Sequence, residues 1–253
     1  MAGLGPLLRK ELLEQWRTLR LPVIATIFLL VGLSSPLLAR FTPEILKSVA
    51  GDQFSITLPT PTAADAVDQL AKNLGQFGGL IAVLLAMGAV ASEKERGTAA
   101  LLLTKPVSRP AFLGAKLVAI GLTLAVSVAI ATAGAWFYTL VLFQALPVGG
   151  VAAGAFLQWL TLMAWASITF VGSTLTRSSL AAAGLGIVAF IVVGILSVLP
   201  GIGAWLPTGL GAPGRALALG IAGPDAIGPA IATIALVAGA GLVAWLAFRR
   251  QEL

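Results

Sequence analysis

Residues able to support chemistry are scarce in this chain. It has no cysteine and no histidine, which excludes thiol redox chemistry, disulfides, Cys/His metal sites and histidine general-base catalysis. Its ten acidic residues are scattered, so neither a paired-aspartate enzyme nor a serine hydrolase with an adjacent base is indicated. The phosphate-binding pattern G-x-x-x-x-G-K-[ST] does not occur. We therefore expect no catalytic, cofactor or metal site, and the chain is predicted not to be an enzyme.

The apolar stretches offer little to an ion-coupled carrier. Such carriers usually hold a carboxylate, a basic residue or a histidine within a spanning helix. The central parts of the apolar stretches contain no such residue, and Gln158, with serines and threonines, supplies their strongest polar groups. The energy for any transport is therefore expected to come from outside this chain.

The densest group of charges is the run Glu93–Arg96, which lies between two apolar stretches. Gly97 breaks this run, and Thr98 can cap a short helix over residues 99–104. Three consecutive leucines in that helix lie outside any span, so they either fold back under the protein or enter a groove on another protein. Ser108 can cap a second helix, with a proline in its first turn, that leads into the next apolar stretch.

The composition sets the frame in which these residues lie. Hydrophobic residues make up 58% of the 253 residues, charged residues only 10%, and the mean hydropathy is +0.99. A soluble domain has about a quarter of its residues charged, so the sequence predicts a membrane protein. Six stretches are long enough to span a bilayer: about 21–39, 74–92, 117–142, 152–173, 179–199 and 227–248. The predicted fold class is all-α, a single polytopic membrane domain over residues 1–253.

The distribution of basic residues predicts the orientation. With the N-terminus inside, twelve of the sixteen Lys and Arg residues fall in inside segments and four in outside segments. This bias places both termini in the cytoplasm and the protein in the inner (plasma) membrane.

Residues 4–20 are predicted to form an amphipathic helix in the membrane interface. Leucines and Trp16 recur along one face, and charged residues including Arg9, Lys10 and Glu11 occupy the rest. Trp16 would lie at headgroup level and the basic residues near anionic lipid. The alternative is an extension of the first span that stops at Pro22.

Three connecting segments are predicted. Residues 41–73 form a polar outer loop, in which 62–73 is a helix that Thr62 and Asp65 begin with a capping box. Residues 92–116 form the cytoplasmic loop described above. Residues 200–226 are apolar but broken by prolines and glycines, which predicts a re-entrant outer segment packed on neighbouring helices.

The 92–116 loop resembles the first cytoplasmic loop of type-2 (ABC-2) exporter permeases. The family pattern E-x-E-x-G-T followed by LL-x-x-P-[VIL]-S-R is matched by residues 93–109, and Lys116 opens the next span as in the family. The start Arg9-Lys10-Glu11-Leu12 is similar to the RKEL start of the family's elbow helix. The compact architecture with a detached ATPase is most similar to permeases of nitrous-oxide-reductase maturation and of sodium or peptide export.

This resemblance implies coupling to a separate cytoplasmic ATPase subunit, which would bind ATP and Mg. The docking element would be Gly97 to Thr104, with three further residues at its hinge. The full set implied by position is Glu93, Glu95, Arg96, Gly97, Thr98, Leu101, Leu102, Leu103 and Thr104. The acids of this set could pair with basic residues of the ATPase or with Lys94 and Arg96 on their own helix.

The function expected is that of the permease subunit of an ATP-driven ABC transporter, an exporter. Its expected partners include a second permease copy or a sister permease, and no nucleic acid. The alternative is a mechanotransmitter or scaffold that moves no solute itself. The motifs Gly75-x-x-x-Gly79 and Gly150-x-x-x-Gly154 are candidates for contact between two copies or for close packing within one.

Overall fold

The structure, a computed structural model, describes residues 3–50, 60–98 and 108–251 and is all-α in these residues. Its α-helices are α1 (Leu4–Arg17), α2 (Arg20–Ala50), α3 (Ala63–Asn73), α4 (Gly79–Met87), α5 (Ala91–Glu95), α6 (Arg109–Leu142), α7 (Val148–Leu175), α8 (Ser179–Leu196), α9 (Gly211–Leu219) and α10 (Ile227–Arg249). A π-helical turn, Leu74–Gly78, joins α3 to α4, and two short 3₁₀ helices, Gly203–Trp205 and Pro207–Leu210, precede α9.

Six helical segments are long and apolar enough to cross a membrane, which confirms the six predicted spans. They are Arg20–Ser48, Ala63–Glu95, Arg109–Leu142, Val148–Leu175, Ser179–Leu196 and Ile227–Arg249. Successive spans run in opposite directions through the bundle. We call the end that carries the 96–108 connection the loop end, and the opposite end, with α3 and α9, the far end.

The core lies among α2, α4, α6 and α7. The aromatic rings of Phe28, Phe112 and Phe170 are fully buried there, with alanines and leucines between them. By contrast, α8 and α10 expose many of their large apolar side chains, as helices that meet lipid or another chain do. The protein therefore has a well-packed centre of four spans and two peripheral spans.

The predicted 41–73 outer loop is shorter in the structure, because the helices on both sides extend into it. α2 continues to Ala50, eleven residues past residue 39, the last residue of the predicted span, and α3 begins at Ala63. The predicted span ends just before Arg40, where the apolar stretch ends. The helix itself can continue past this charge, because it is held by backbone hydrogen bonds and does not require apolar side chains. The predicted capping box is confirmed, because Asp65 accepts hydrogen bonds from the Thr62 backbone and hydroxyl at 2.8 Å.

The N-terminal segment forms a helix of its own. α1 ends at Arg17, and Leu19 adopts a left-handed conformation with φ 59° before α2 begins. Pro22 lies inside the first turn of α2, so it does not end the preceding helix. The structure thus favours a separate helix over an extension of the first span.

The glycine motifs pack within one chain where their contacts are described. An added Cβ at Gly150 would lie 2.0 Å from the carbonyl oxygen of Leu217, and one at Gly154 would lie 2.8 Å from that of Gly214. Both contacts join α7 to α9. An added Cβ at Gly79 would meet the ring of Phe190. These observations support close packing within the subunit for these glycines.

Replacing Gly150 by alanine should lower the free energy of unfolding by about 1–3 kcal/mol, because the added methyl overlaps the α9 backbone and the two helices must separate. Gly149→Ala is the matched control, since no atom lies within 4 Å of its Cβ position. Equilibrium unfolding in a fixed detergent mixture would compare them. Equal midpoints for the two variants would contradict the tight α7–α9 contact.

Candidate functional site

The two roots of the 96–108 connection are the best-anchored polar region of the described residues. The first root is α5, which follows α4 at the loop end, and the second is the start of α6. Ser108 caps α6 by accepting a hydrogen bond from the backbone of Ala111 at 3.4 Å, with Pro110 in the first turn. Gly97 ends the first root in a left-handed conformation, φ 69°. Both local predictions from the sequence are confirmed.

A charge cluster of four residues, Lys10, Glu11, Glu93 and Lys116, ties the roots to α1. The ammonium of Lys116 lies 2.8 Å from Glu93 Oε1 and 3.1 Å from Glu11 Oε1. The ammonium of Lys10 lies 3.1 Å from the same oxygen of Glu11 and 3.3 Å from Glu93 Oε1. The Lys116 side chain is only 5% exposed. Three helices, α1, α5 and α6, are therefore joined through shared carboxylate oxygens.

The charges of the cluster shift the pKa values of Lys10, one of its members, and of the neighbouring Glu14. Burial lowers the pKa of Lys10, but the carboxylates of Glu11 and Glu93 outweigh burial and hold that pKa above its usual value. For Glu14, burial raises the pKa, but the hydrogen bond from Lys10 prevails and leaves the pKa below its usual value. Lys10 and Glu14 are thus both charged at neutral pH, and the cluster is a fixed ionic contact.

A second contact fastens α1 to α6. The Thr123 hydroxyl donates a hydrogen bond to Gln15 Oε1, and both side chains are buried. Glu11 and Gln15 are one helical turn apart, so both face α6 while Trp16 is exposed. The face of α1 that meets the bundle is therefore polar at these positions.

The first root is also tied to α7 and to the chain after α10. The ammonium of Lys94 donates hydrogen bonds to the Thr174 carbonyl and to Gln251 Oε1. Gln251 in turn donates from Nε2 to the Thr174 carbonyl at 2.9 Å. The Lys94 ammonium also lies 5.5 Å from the centre of the Phe248 ring, a cation–π distance. Lys94 thus connects three segments at the loop end.

The second root holds the C-terminal end of α10. The Arg109 guanidinium donates hydrogen bonds to the carbonyls of Phe248 at 3.1 Å and Arg249 at 2.8 Å, which satisfies helix-terminal acceptors with a positive charge. The rings of Phe112 and Phe248 stack at 5.6 Å between centroids. Movement of the start of α6 must therefore move α10 with it.

A break in the second span separates the first root from the membrane-spanning part. α4 ends at Met87 and α5 begins at Ala91. The backbone N–H groups of Val90 and Ala91 both donate to the Ser173 hydroxyl of α7, each at 3.0 Å, and all three residues are fully buried. The break is thus a joint whose free backbone donors are satisfied by one side chain.

This arrangement has the features of a mechanical connection rather than of a reactive centre. Within the described ranges, no group of three or more His, Cys, Asp or Glu residues could hold a metal ion. The polar contacts instead bind the ends of one short connection to α1, α7 and α10.

Comparison with known proteins decides the family. The profile of the ABC-2 family of transporter proteins matches residues 6–208, a range that includes α1, both roots and the first five spans. The chain belongs to the ABC-2 transporter family. It is also 28% identical over 207 residues to the uncharacterized transmembrane protein YxlG of Bacillus subtilis (strain 168), with 79% of each chain covered.

Family membership gives this ABC-2 protein a general role. It is a multi-pass membrane protein and a membrane permease of an ABC transporter. Members of the family function with a partner ATPase subunit.

The structure revises the expected pairing of the loop acids in this ABC-2 permease. Glu93 pairs with Lys10 and Lys116, not with Lys94 or Arg96 of its own segment, and its side chain is only 14% exposed. Lys10, expected near lipid headgroups, lies in the same cluster. The sequence-based reading failed here because residues 10, 93 and 116 are distant in the sequence and only the fold brings them together.

The other predicted residues of the permease divide into three groups. Arg9, Trp16, Glu95 and Arg96 are exposed, and Arg96 lines the same cavity as the charge cluster. Thr98 donates its hydroxyl hydrogen bond to the Glu93 carbonyl at 3.2 Å. Leu101, Leu102, Leu103 and Thr104, with the short helix predicted over 99–104, lie outside the described residues.

Sequence reasoning missed Gln15, Arg109 and Ser173 as functional candidates. Gln15 carried a weak signal, since it is an uncharged polar residue among the leucines and charges of an amphipathic helix. Ser173 carried none, because serines are common in spanning helices and only the break at residues 88–90 gives this one two donors to accept from.

Proposed function

We propose that this chain is the permease subunit of an ATP-driven exporter, in which a separate cytoplasmic ATPase moves the spans through the 96–108 connection. The observation that carries the proposal is that both roots of this connection are fastened to other helices. α5 is held by the charge cluster, Lys94 and Ser173, and the start of α6 is held by Arg109. A force on the connection is thereby passed to α1, α7 and α10.

The composition of the spans supports an external source of energy. The chain lacks a phosphate-binding motif and has no charged residue in the central parts of its spans, so ATP and Mg would be bound by the partner. The roots lie at the loop end together with most Lys and Arg residues, which supports a cytoplasmic position for that end in an inner membrane. The outward direction of transport is the one implied by the resemblance of residues 93–109 to exporter loops.

Two copies, or one copy and a sister permease, would complete the transporter with two ATPase subunits. The exposed apolar surfaces of α8 and α10 support such an assembly. In each of these peripheral spans, only 17% of the most apolar 18-residue stretch is buried within one chain. The packing of Gly150 and Gly154 on α9 removes them as contacts between copies.

Replacing Leu102 by aspartate should abolish co-purification of the ATPase without unfolding the permease. A charge placed among three consecutive leucines would prevent their entry into an apolar groove on the partner. The measurement is a pull-down of the tagged permease from its native membrane in mild detergent, with ATPase activity and mass spectrometry as readouts. Retention of the ATPase by Leu102→Asp would overturn the docking role.

Leu180→Asp is the matched control for this experiment. Leu180 lies at the loop end, in the first turn of α8, and its side chain is 82% exposed. An acidic residue there suits a helix N-terminus, so this variant should retain the ATPase. If wild type itself brings down no ATPase, the permease would function without one and the proposed coupling would be wrong.

A further inference from the structure

A cavity of about 280 Å³ lies at the far end of the bundle, away from the charge cluster and the roots of the 96–108 connection. α3, the π-helical turn, α7, α8 and the segment before α9 form its wall. Its accessible surface is mostly apolar. Two buried polar atoms of wall residues, Gln158 Nε2 and Thr208 Oγ1, nevertheless have no hydrogen-bond partner within the described residues.

These unpartnered groups are unusual, because a buried donor left without a partner costs about 1–3 kcal/mol. Thr161, on the same wall, shows the ordinary solution, since its hydroxyl bonds to the carbonyls of Leu157 at 3.1 Å and Pro207 at 3.0 Å. Gln158 and Thr208 are not satisfied in this way. A ligand that accepts hydrogen bonds would supply what the protein does not.

The polar and apolar parts of the cavity are separated along its length. Lys72 and Gln76 are exposed and lie where the cavity meets the far end. Trp165 is 2% exposed and lies deeper, with its ring 4.9 Å from that of Phe190 in an edge-to-face contact. The donors are thus on the side of the far end, and the aromatic surface is on the side of the membrane centre.

Three glycines keep this space open. Gly75, Gly194 and Gly211 come from three different elements, and no atom lies within 4 Å of the Cβ position of any of them. By contrast, Gly79 and Gly186, in the same spans as two of these, have neighbours closer than 3 Å at that position. Side chains at the three cavity glycines would therefore extend into the cavity, not into packed helices.

We propose that this cavity binds a small anionic amphiphile, a carboxylate on a short apolar chain. Gln158, Thr208 and Lys72 would donate to the carboxylate, and the chain would lie against Trp165 and Phe190. A carboxylate accepts hydrogen bonds at both oxygens, and a charged acceptor makes these bonds stronger than a neutral one. A cationic or donor-only head would leave the buried N–H donor of Gln158 unsatisfied.

The position of Trp165 provides a direct assay. The probe is 10-bromodecanoate, whose terminal bromine quenches tryptophan fluorescence on contact. Titration into the purified subunit in detergent should give saturable quenching that is lost in Trp165→Phe and retained in Trp136→Phe. The bromodecyl-trimethylammonium probe, with the same chain and a cationic head, should bind at least about tenfold more weakly.

Two variants test the two halves of the site. Gln158→Leu should weaken binding of the anionic probe about tenfold, while the thermal midpoint stays equal or rises, because the variant also removes an unsatisfied buried donor. Gly194→Leu should abolish saturable quenching by filling the cavity. Gly184→Leu is its matched control, since Gly184 lies on the same helix, also has no atom within 4 Å of its Cβ position and is not part of the cavity wall.

Equal binding of the two probes would overturn the anionic head, and unchanged quenching in Gly194→Leu would overturn the cavity as the site. Quenching that persists in Trp165→Phe would place the bromine elsewhere. The assay contains no ATPase and no ATP, so its outcome is independent of the coupling proposed for the 96–108 connection.

Discussion

Replacing Lys116 by methionine should lower the free energy of unfolding by about 3–5 kcal/mol, the range observed when one partner of a buried ion pair is removed. Methionine keeps most of the length and the apolar stem of lysine but removes the ammonium that lies between Glu93 and Glu11. Among the described residues, Lys10 would then be the only cation within 4 Å of both carboxylates. The measurement is equilibrium unfolding in mixed micelles, followed by tryptophan fluorescence.

The double variant Glu93→Gln/Lys116→Met distinguishes electrostatics from packing. Glutamine fills the space of Glu93 without its charge, so the pair of substitutions removes one positive and one negative charge from the cluster. We expect the double variant to be more stable than Lys116→Met alone, with a coupling energy of about 1–3 kcal/mol in the double-mutant cycle. Strictly additive effects would show that the two side chains do not interact.

Lys47→Met serves as the surface control. Lys47 lies near the end of α2 and is exposed, so its replacement should change stability by less than about 0.5 kcal/mol. A similar loss for Lys47→Met and Lys116→Met would mean that the loss of a lysine in general, and not the cluster, destabilises the protein in detergent.

The sequence predicts the spans well because their signal is local. A run of about 20 apolar residues must cross or avoid the membrane, whatever the rest of the chain does, and all six predicted runs correspond to long helices. The cap at Ser108, the capping box at Thr62 and the stop at Gly97 are also local, because each depends on backbone donors within three or four residues.

The charge cluster could not be predicted in the same way. Lys10, Glu93 and Lys116 are each typical charged residues beside a span, and each could have faced solvent, lipid or a partner. Their meeting depends on how α1 packs against α6, which Gln15 and Thr123 help to fix. The family resemblance identified residues 93–109 as a unit, but it carried no information on which cation Glu93 would meet.

Helix breaks inside a span are the second feature that hydropathy does not reveal. The segment 74–92 has no charged residue and is mostly apolar in the sequence, yet it contains a π-helical turn at its start and a break at residues 88–90. Gly88 is the only local sign of the break. Because the break frees backbone donors within the protein, some other group must satisfy them, and that requirement leads to Ser173.

Replacing Ser173 by alanine should lower the free energy of unfolding by about 2–4 kcal/mol, because it leaves the buried N–H groups of Val90 and Ala91 without an acceptor. Hydrogen exchange of these two amides should become faster relative to amides in the middle of α4. Under the proposed function, the ATPase would still bind the 96–108 connection, but transport per ATP hydrolysed should decrease, since the contact between the joint and α7 would be loosened.

Ser167→Ala isolates this effect from the loss of a buried hydroxyl in general. Ser167 lies on the same helix and is equally buried, but its hydroxyl donates to the Ala164 carbonyl of its own helix at 2.9 Å, so alanine there leaves no cross-helix donor unsatisfied. We expect a change below about 1 kcal/mol and normal coupling. If both variants bind the ATPase and transport equally well, α7 does not receive motion through the joint. The charge cluster, Lys94 and Arg109 would then be the remaining described routes from the connection into the bundle.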